Sequence, residues 1–141
     1  MFFDNTLMLA DAQAVTADAA GTVGGNASVL QLAGDDYSRM WVAILVDTAF
    51  TTSGSPSGAT IVAKLQTSND STFSDGVNVL EEKTINIATA KKGDVVAFRL
   101  PLGTLKYTRV YFDVTLTGGT TPAITAGKLT VGLTDGIYTA Q

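Results

Sequence analysis

The chain lacks histidine and cysteine altogether, and only three of its 141 residues are proline. The two missing types take most catalytic chemistry with them. Histidine alone has an unperturbed pKa near neutrality and is the commonest metal ligand. Cysteine supplies thiolate nucleophiles, disulfides and zinc sites. A protein with neither is expected to act through surface and shape. Its stability has to come from packing or from assembly with other chains, and the redox compartment stays open.

Charge is also scarce. Charged residues make up 16% of the chain, against about a quarter in an ordinary globular protein. The net charge is −4 and the isoelectric point lies near 4.5, so no basic footprint for nucleic acid is expected. The nine Lys and Arg residues are scattered except for Lys91-Lys92, which reads as a solvated loop tip. Long apolar runs are missing too. The longest, Met40 to Val46, is one buried strand in length and far short of the roughly 18 residues of a membrane span. Met1-Phe2-Phe3-Asp4-Asn5 has no basic flank, and Asp11 soon interrupts the apolar residues after it, so no secretory signal is expected.

What is present is threonine, at 21 positions, and glycine, at 14. With 45% apolar residues, the composition is that of one folded domain, able to bury about two-thirds of its unfolded surface. Alternation with a period of two dominates from Ser28 onward. Ile61, Ala63 and Leu65 alternate with Val62, Lys64 and Gln66; Val110, Phe112, Val114 and Leu116 with Arg109, Tyr111, Asp113 and Thr115. Val96, Phe98 and Leu100 repeat the pattern, as do Leu129, Val131 and Leu133. This is the signature of half-buried antiparallel strands. Met40–Val46 is apolar on both faces and predicts a central, doubly covered strand, with Trp41 read as core. Segments near Val29–Leu32, Val77–Leu80 and Thr84–Ala88 bring the set to about eight strands.

Turn signals separate them at Ala33–Asp36, Thr51–Ala59, Ser68–Gly76, Lys91–Asp94, Leu102–Thr104 and Gly118–Pro122. The expected fold is all-β: a jelly-roll-like antiparallel sandwich with an extended N-terminal arm. Residues 1–27 are alanine-rich and then glycine-rich, and are expected to form an arm or edge strand with a flexible hinge at Gly21–Gly25, while residues 28–141 form the sandwich.

Candidate sites are few. Asp35-Asp36 and Glu81-Glu82 are adjacent carboxylates, but neighbours on a strand point to opposite faces and do not converge. Ser68–Asp75 gathers oxygens suited to calcium but lacks the spacing and terminal glutamate of an EF-hand, and Asx and Ser/Thr turns account for it equally well. Glycine patterns such as Gly21–Gly25 are followed by no Gly-Lys-Ser/Thr, so no phosphate loop is indicated. No catalytic residue, metal site or cofactor is expected. Tyr37 and Tyr111 are the aromatic candidates for a protein interface.

Several segments, in order, resemble the capsid cement proteins of the short-tailed Bordetella phage type. They are Leu7–Thr16 with its Asp-Ala-Gln-Ala-Val-Thr core, Val46–Phe50, Leu65–Ser68, Leu100–Gly103 and Thr125–Val131. The chain departs from that pattern at Gly21–Leu32 and in the Thr51–Ala59 loop. The resemblance implies a jelly roll on the exterior of an icosahedral virion, associating as a dimer or other small oligomer. It also implies that the protein braces the major capsid protein, with no active site and no cofactor. No nucleic-acid or membrane partner is expected. Met8, Leu9, Asp11, Gln13 and Val15 in the arm, with Tyr111, are the expected interface residues. The alternative is a carbohydrate-binding or receptor-binding sandwich, which requires exposed aromatics and a calcium loop.

Overall fold

The computed structural model describes residues 7–32 and 40–134. Asp35, Asp36 and Tyr37, the Ala33–Asp36 turn and the Met1–Asn5 opening lie outside the described residues. The strands are β1 (Met8–Ala14), β2 (Ala19–Ala20), β3 (Thr22–Val23), β4 (Asn26–Ala27), β5 (Trp41–Ser53), β6 (Gly58–Ser68), β7 (Asn78–Asn86), β8 (Val95–Arg99), β9 (Tyr107–Thr117) and β10 (Ala123–Thr134). Eight of them form two antiparallel four-stranded sheets, ordered β1-β10-β5-β8 and β2-β9-β6-β7, and β3 pairs with β4 in a small hairpin.

That order is the one produced by rolling up a single long hairpin. The first of the eight strands pairs with the last (β1 with β10), the second with the seventh (β2 with β9), the third with the sixth (β5 with β8), and the two middle strands with each other (β6 with β7). Among these eight strands, every connection from one to the next crosses from one sheet to the other, apart from the β6–β7 turn. The result is the jelly-roll sandwich expected from the alternation.

The alternation maps onto the fold residue by residue. Along β6, Ala59, Ile61, Ala63 and Leu65 are buried while Thr60, Val62, Lys64 and Gln66 are partly exposed. The inward residues meet Leu9, Val42, Ile44, Val46, Leu129, Val131 and Leu133 of the facing sheet in one core, with Val110 and Phe112 of β9 at its centre. Each fully buried side chain of this kind contributes about 1.5–3 kcal/mol by leaving water. The Met40–Val46 run forms an interior strand, as expected, since β5 lies between β10 and β8. Its core side (Val42, Ile44, Val46) is buried, whereas on the other side Ala43 is buried and Trp41 and Leu45 are half-buried. Trp41 departs from its expected core position. It is half-buried on the opposite face from Val42, with the Arg99 guanidinium 5.3 Å from its ring centre.

Three expected boundaries shift. The Thr51–Ala59 loop shrinks to a turn at 54–57, because β5 and β6 run on to either side of it. Val77–Leu80 and Thr84–Ala88 merge into β7, and Val29–Leu32 yields a single bridge, Leu30 to Thr108. On the β7 edge, Lys83 lies on the core-facing side opposite Ala63, and its ammonium sits 5.7 Å from the Phe98 ring of the other sheet. An inward charge on an edge strand discourages pairing with stray strands.

Of the two forms expected for the N-terminal segment, arm or edge strand, the structure shows the edge strand. β1 lies along β10, with Met8 opposite Gly132 and Gln13 opposite Leu129, and the chain then crosses to the other sheet, where β2 lies along β9. The supposed hinge begins at a tightly packed residue: Gly21 is buried with its backbone N–H on the Val110 carbonyl at 2.8 Å, and any Cβ there would collide with the Leu9 carbonyl and the Val110 side chain. Within the expected hinge, Gly24 and Gly25, at the tip of the β3–β4 hairpin, have the open, positive-φ character of a free glycine turn.

Candidate functional site

The outward face of the β2-β9-β6-β7 sheet carries the chain's most organised surface chemistry. Period-two geometry puts Tyr107, Arg109, Tyr111 and Asp113 of β9 on one line. Register sets them beside β6: Gln66 opposite Arg109, Lys64 opposite Tyr111, Val62 opposite Asp113. Lys64 Nζ donates to Asp113 Oδ2 at 3.1 Å, across the diagonal. Arg109 Nε donates to Gln66 Oε1 at 2.9 Å. Its guanidinium lies 4.2 Å from the Phe73 ring centre and 5.3 Å from that of Tyr111. Lys106 lies 5.3 Å from the ring of Tyr107.

Phe73 reaches this place because of the 68–76 loop. Asp70 organises that loop: Oδ1 accepts from the Thr72 N–H and hydroxyl (3.0 and 2.8 Å), and Oδ2 from the Ser74 N–H and hydroxyl (3.2 and 2.5 Å). The Ser74 hydroxyl, followed by the Thr72 N–H and hydroxyl, holds the Asp70 carboxyl far below the usual carboxylate range. Ser68 adds a second tie, donating to the Asp75 carbonyl at 2.7 Å and accepting from the Asp70 N–H at 3.0 Å. The loop so fixed turns through Phe73 at φ 55° and lays its ring against Arg109, apart from the core between the sheets. On the other side, Thr67 Oγ1 donates to the Tyr107 carbonyl and accepts from the Leu105 N–H, anchoring the entry to β9.

Electrostatically the Arg109 end of this face is cationic on an anionic chain, while exposed Glu82 lies outward beside Lys64. Asp113 is taken by Lys64, and among the described residues neither Arg109 nor Lys106 has an ion-pair partner. Burial among the rings lowers the Arg109 pKa from its ordinary value, but a guanidinium stays charged throughout the working range. Chemically the arrangement can present a planar, oriented cation that rests on the buried Phe73 ring beside partly exposed Tyr111. Aromatic and arginine anchors of this kind are what protein interfaces favour.

The expected site residues divide. Tyr111 is part of this face. Met8, Leu9 and Val15 are 7%, 0% and 1% exposed, so as interface residues they are corrected: they line the core, since β1 is a wall of the sandwich. Gln13 is a clamp within the fold, donating from Nε2 to the Ala20 carbonyl (3.0 Å) and accepting from the Thr22 N–H (2.7 Å). Asp11 is exposed on β1, away from the Arg109 face. Tyr37 lies outside the described residues. Glu81 and Glu82 diverge, opposite core-facing Leu65 and outward Lys64 respectively. Among the described residues no three His, Cys, Asp or Glu side chains gather as a metal site.

Arg109 and Phe73 are the residues that sequence reasoning missed. The β9 alternation already set Arg109 beside Tyr111 on the outward face. Nothing local marked Phe73, whose position depends on a left-handed turn. Two comparisons with known proteins bear on this chain. A family model described as Bbp16 matches residues 9–133, from β1 through most of β10. No curated protein matches it.

Proposed function

Because the chain belongs to the Bbp16 family, consistent with a phage protein, we propose that it is a structural virion protein that cements the outer surface of an icosahedral capsid. The family match over residues 9–133 carries this proposal, since it spans nearly the whole jelly roll. The protein binds the major capsid protein without catalysis and adds contact area between neighbouring capsomers. Multivalency makes this effective: copies that associate as a dimer or small oligomer engage a repeating lattice together, so individually weak contacts hold. The Arg109–Tyr111 face is the contact surface, because it offers oriented polar and aromatic groups on rigid strands.

The carbohydrate-binding alternative gains no support. In its would-be calcium loop the Asp70 carboxylate, one of two, is occupied by Thr72 and Ser74, and the Tyr111 ring lies under Arg109.

The test uses the full chain, since removing the residues before Gly21 would delete β1 and β2 and unfold the sandwich. Purified protein is added to shells of the phage that encodes it, after the native copies have been stripped. Stoichiometric co-sedimentation and a raised shell melting temperature are expected. Shells that neither bind it nor melt later would refute the proposal. Sedimentation velocity of the free protein reads the oligomer.

A further inference from the structure

We infer that the Arg109 face docks on an acidic protein surface, with the Arg109 guanidinium taking a carboxylate of the partner. This rests on the capsid-binding proposal for the partner's identity and adds the chemistry of the contact. A guanidinium has five N–H donors in a rigid plane. Gln66 engages Nε, Phe73 and Tyr111 hold the plane, and the terminal nitrogens have no carboxylate among the described residues. A carboxylate fits that fork with two parallel hydrogen bonds.

The surroundings favour an acid and disfavour a nucleic acid. Lys106 adds a second unpaired cation at the Arg109 end of the face, and the acids of that face, Asp113 and Glu82, both lie beside Lys64, which pairs with Asp113. A chain of net charge −4 with so short a basic patch lacks the extended phosphate contacts that drive nucleic-acid binding. The loop supplies an independent pointer. Phe73 is one of the few non-glycine residues at positive φ among those described, a conformation that costs free energy and persists where surrounding structure imposes it. Here the Asp70 network imposes it, and its effect is to orient Arg109. Asp70 and Phe73 are thus positioning residues.

The experiment measures shell binding for the wild type, Arg109→Gln and Arg109→Lys, each first checked for an unchanged urea midpoint. Arg109→Gln should weaken binding by about tenfold or more, the loss expected for a charge-assisted pair. Arg109→Lys should recover little, because lysine cannot present the planar fork. The salt dependence of binding should flatten in Arg109→Gln. A second arm needs no shell: hexaglutamate at low salt should shift the Arg109 Nε–H resonance of the wild type, and hexalysine should not. Wild-type affinity in Arg109→Gln overturns the inference while leaving the cement role standing. If the wild type binds no shell, the cement role fails, and a resonance unmoved by hexaglutamate, or moved only by a short DNA duplex, overturns the inference as well.

Discussion

Residues 8–27 and residues 68–76 both look like connecting material in the sequence, rich in small and polar side chains, and they have opposite fates. The first stretch is a wall of the core, with Leu9 wholly buried and β1 hydrogen-bonded along β10. The second stays at the surface and builds a rigid turn that aims one aromatic ring at one cation. What separates them is the partner each finds. β1 finds a strand more than a hundred residues away, and burial follows from that pairing. The 68–76 loop satisfies its hydrogen bonds internally through Asp70 and so needs no strand partner.

The sharpest way to break that contrast is at Leu9. Leu9→Ala should destabilise the fold by roughly 3 kcal/mol, the usual cost of truncating a fully buried leucine, read as a fall in the urea midpoint. A free arm would tolerate the change, and an unaltered midpoint would return residues 8–15 to the role of arm.

A smaller, pH-dependent effect is expected in the loop. The folded protein holds the Asp70 carboxyl below its ordinary pKa, so as pH falls the unfolded chain takes up the proton first. The contribution of Asp70 is therefore complete above the unfolded value of about 4 and is lost as pH drops below it towards the folded value. The difference in urea midpoint between the wild type and Asp70→Asn should shrink from about pH 6 to about pH 3. A difference that stayed flat or grew on acidification would mean that the loop does not depend on its carboxylate.

Smallest of all is the Lys64–Asp113 pair, whose side chains are 27% and 40% exposed. Lys64→Met should change stability by about 0–1 kcal/mol, as for other solvent-screened pairs, and thermal melting in low and high salt reads it. A larger loss would place this face among the structural parts of the fold and blur the contrast with β1.

Much of this was legible in the sequence because strand alternation is a local property. Ile61, Ala63 and Leu65 were set inward, and Arg109, Tyr111 and Asp113 outward, by a side-chain period of two that any strand obeys. The doubly apolar run announced a central strand for the same reason. Trp41 misled because a large aromatic in an apolar strand still alternates: its neighbour Val42 took the core side, and Trp41 was left under Arg99. The N-terminal segment was legible only as an arm or edge strand, because its short alanine-rich stretch has little propensity of its own and the β10 partner alone makes it the edge strand. Phe73 was hidden because a left-handed φ at a bulky residue is not written in its identity.

By itself, then, the sequence determined the all-β class, the inward and outward faces of the long strands, and a chemistry without histidine or cysteine. All three come from residue type and near-neighbour spacing. Tertiary structure alone decided which strands meet, that Met8 would lie against Gly132 and close the roll, and that a loop would carry Phe73 to Arg109. Those outcomes depend on contacts between residues far apart in the chain, whose free energy exists only once the two sheets have packed.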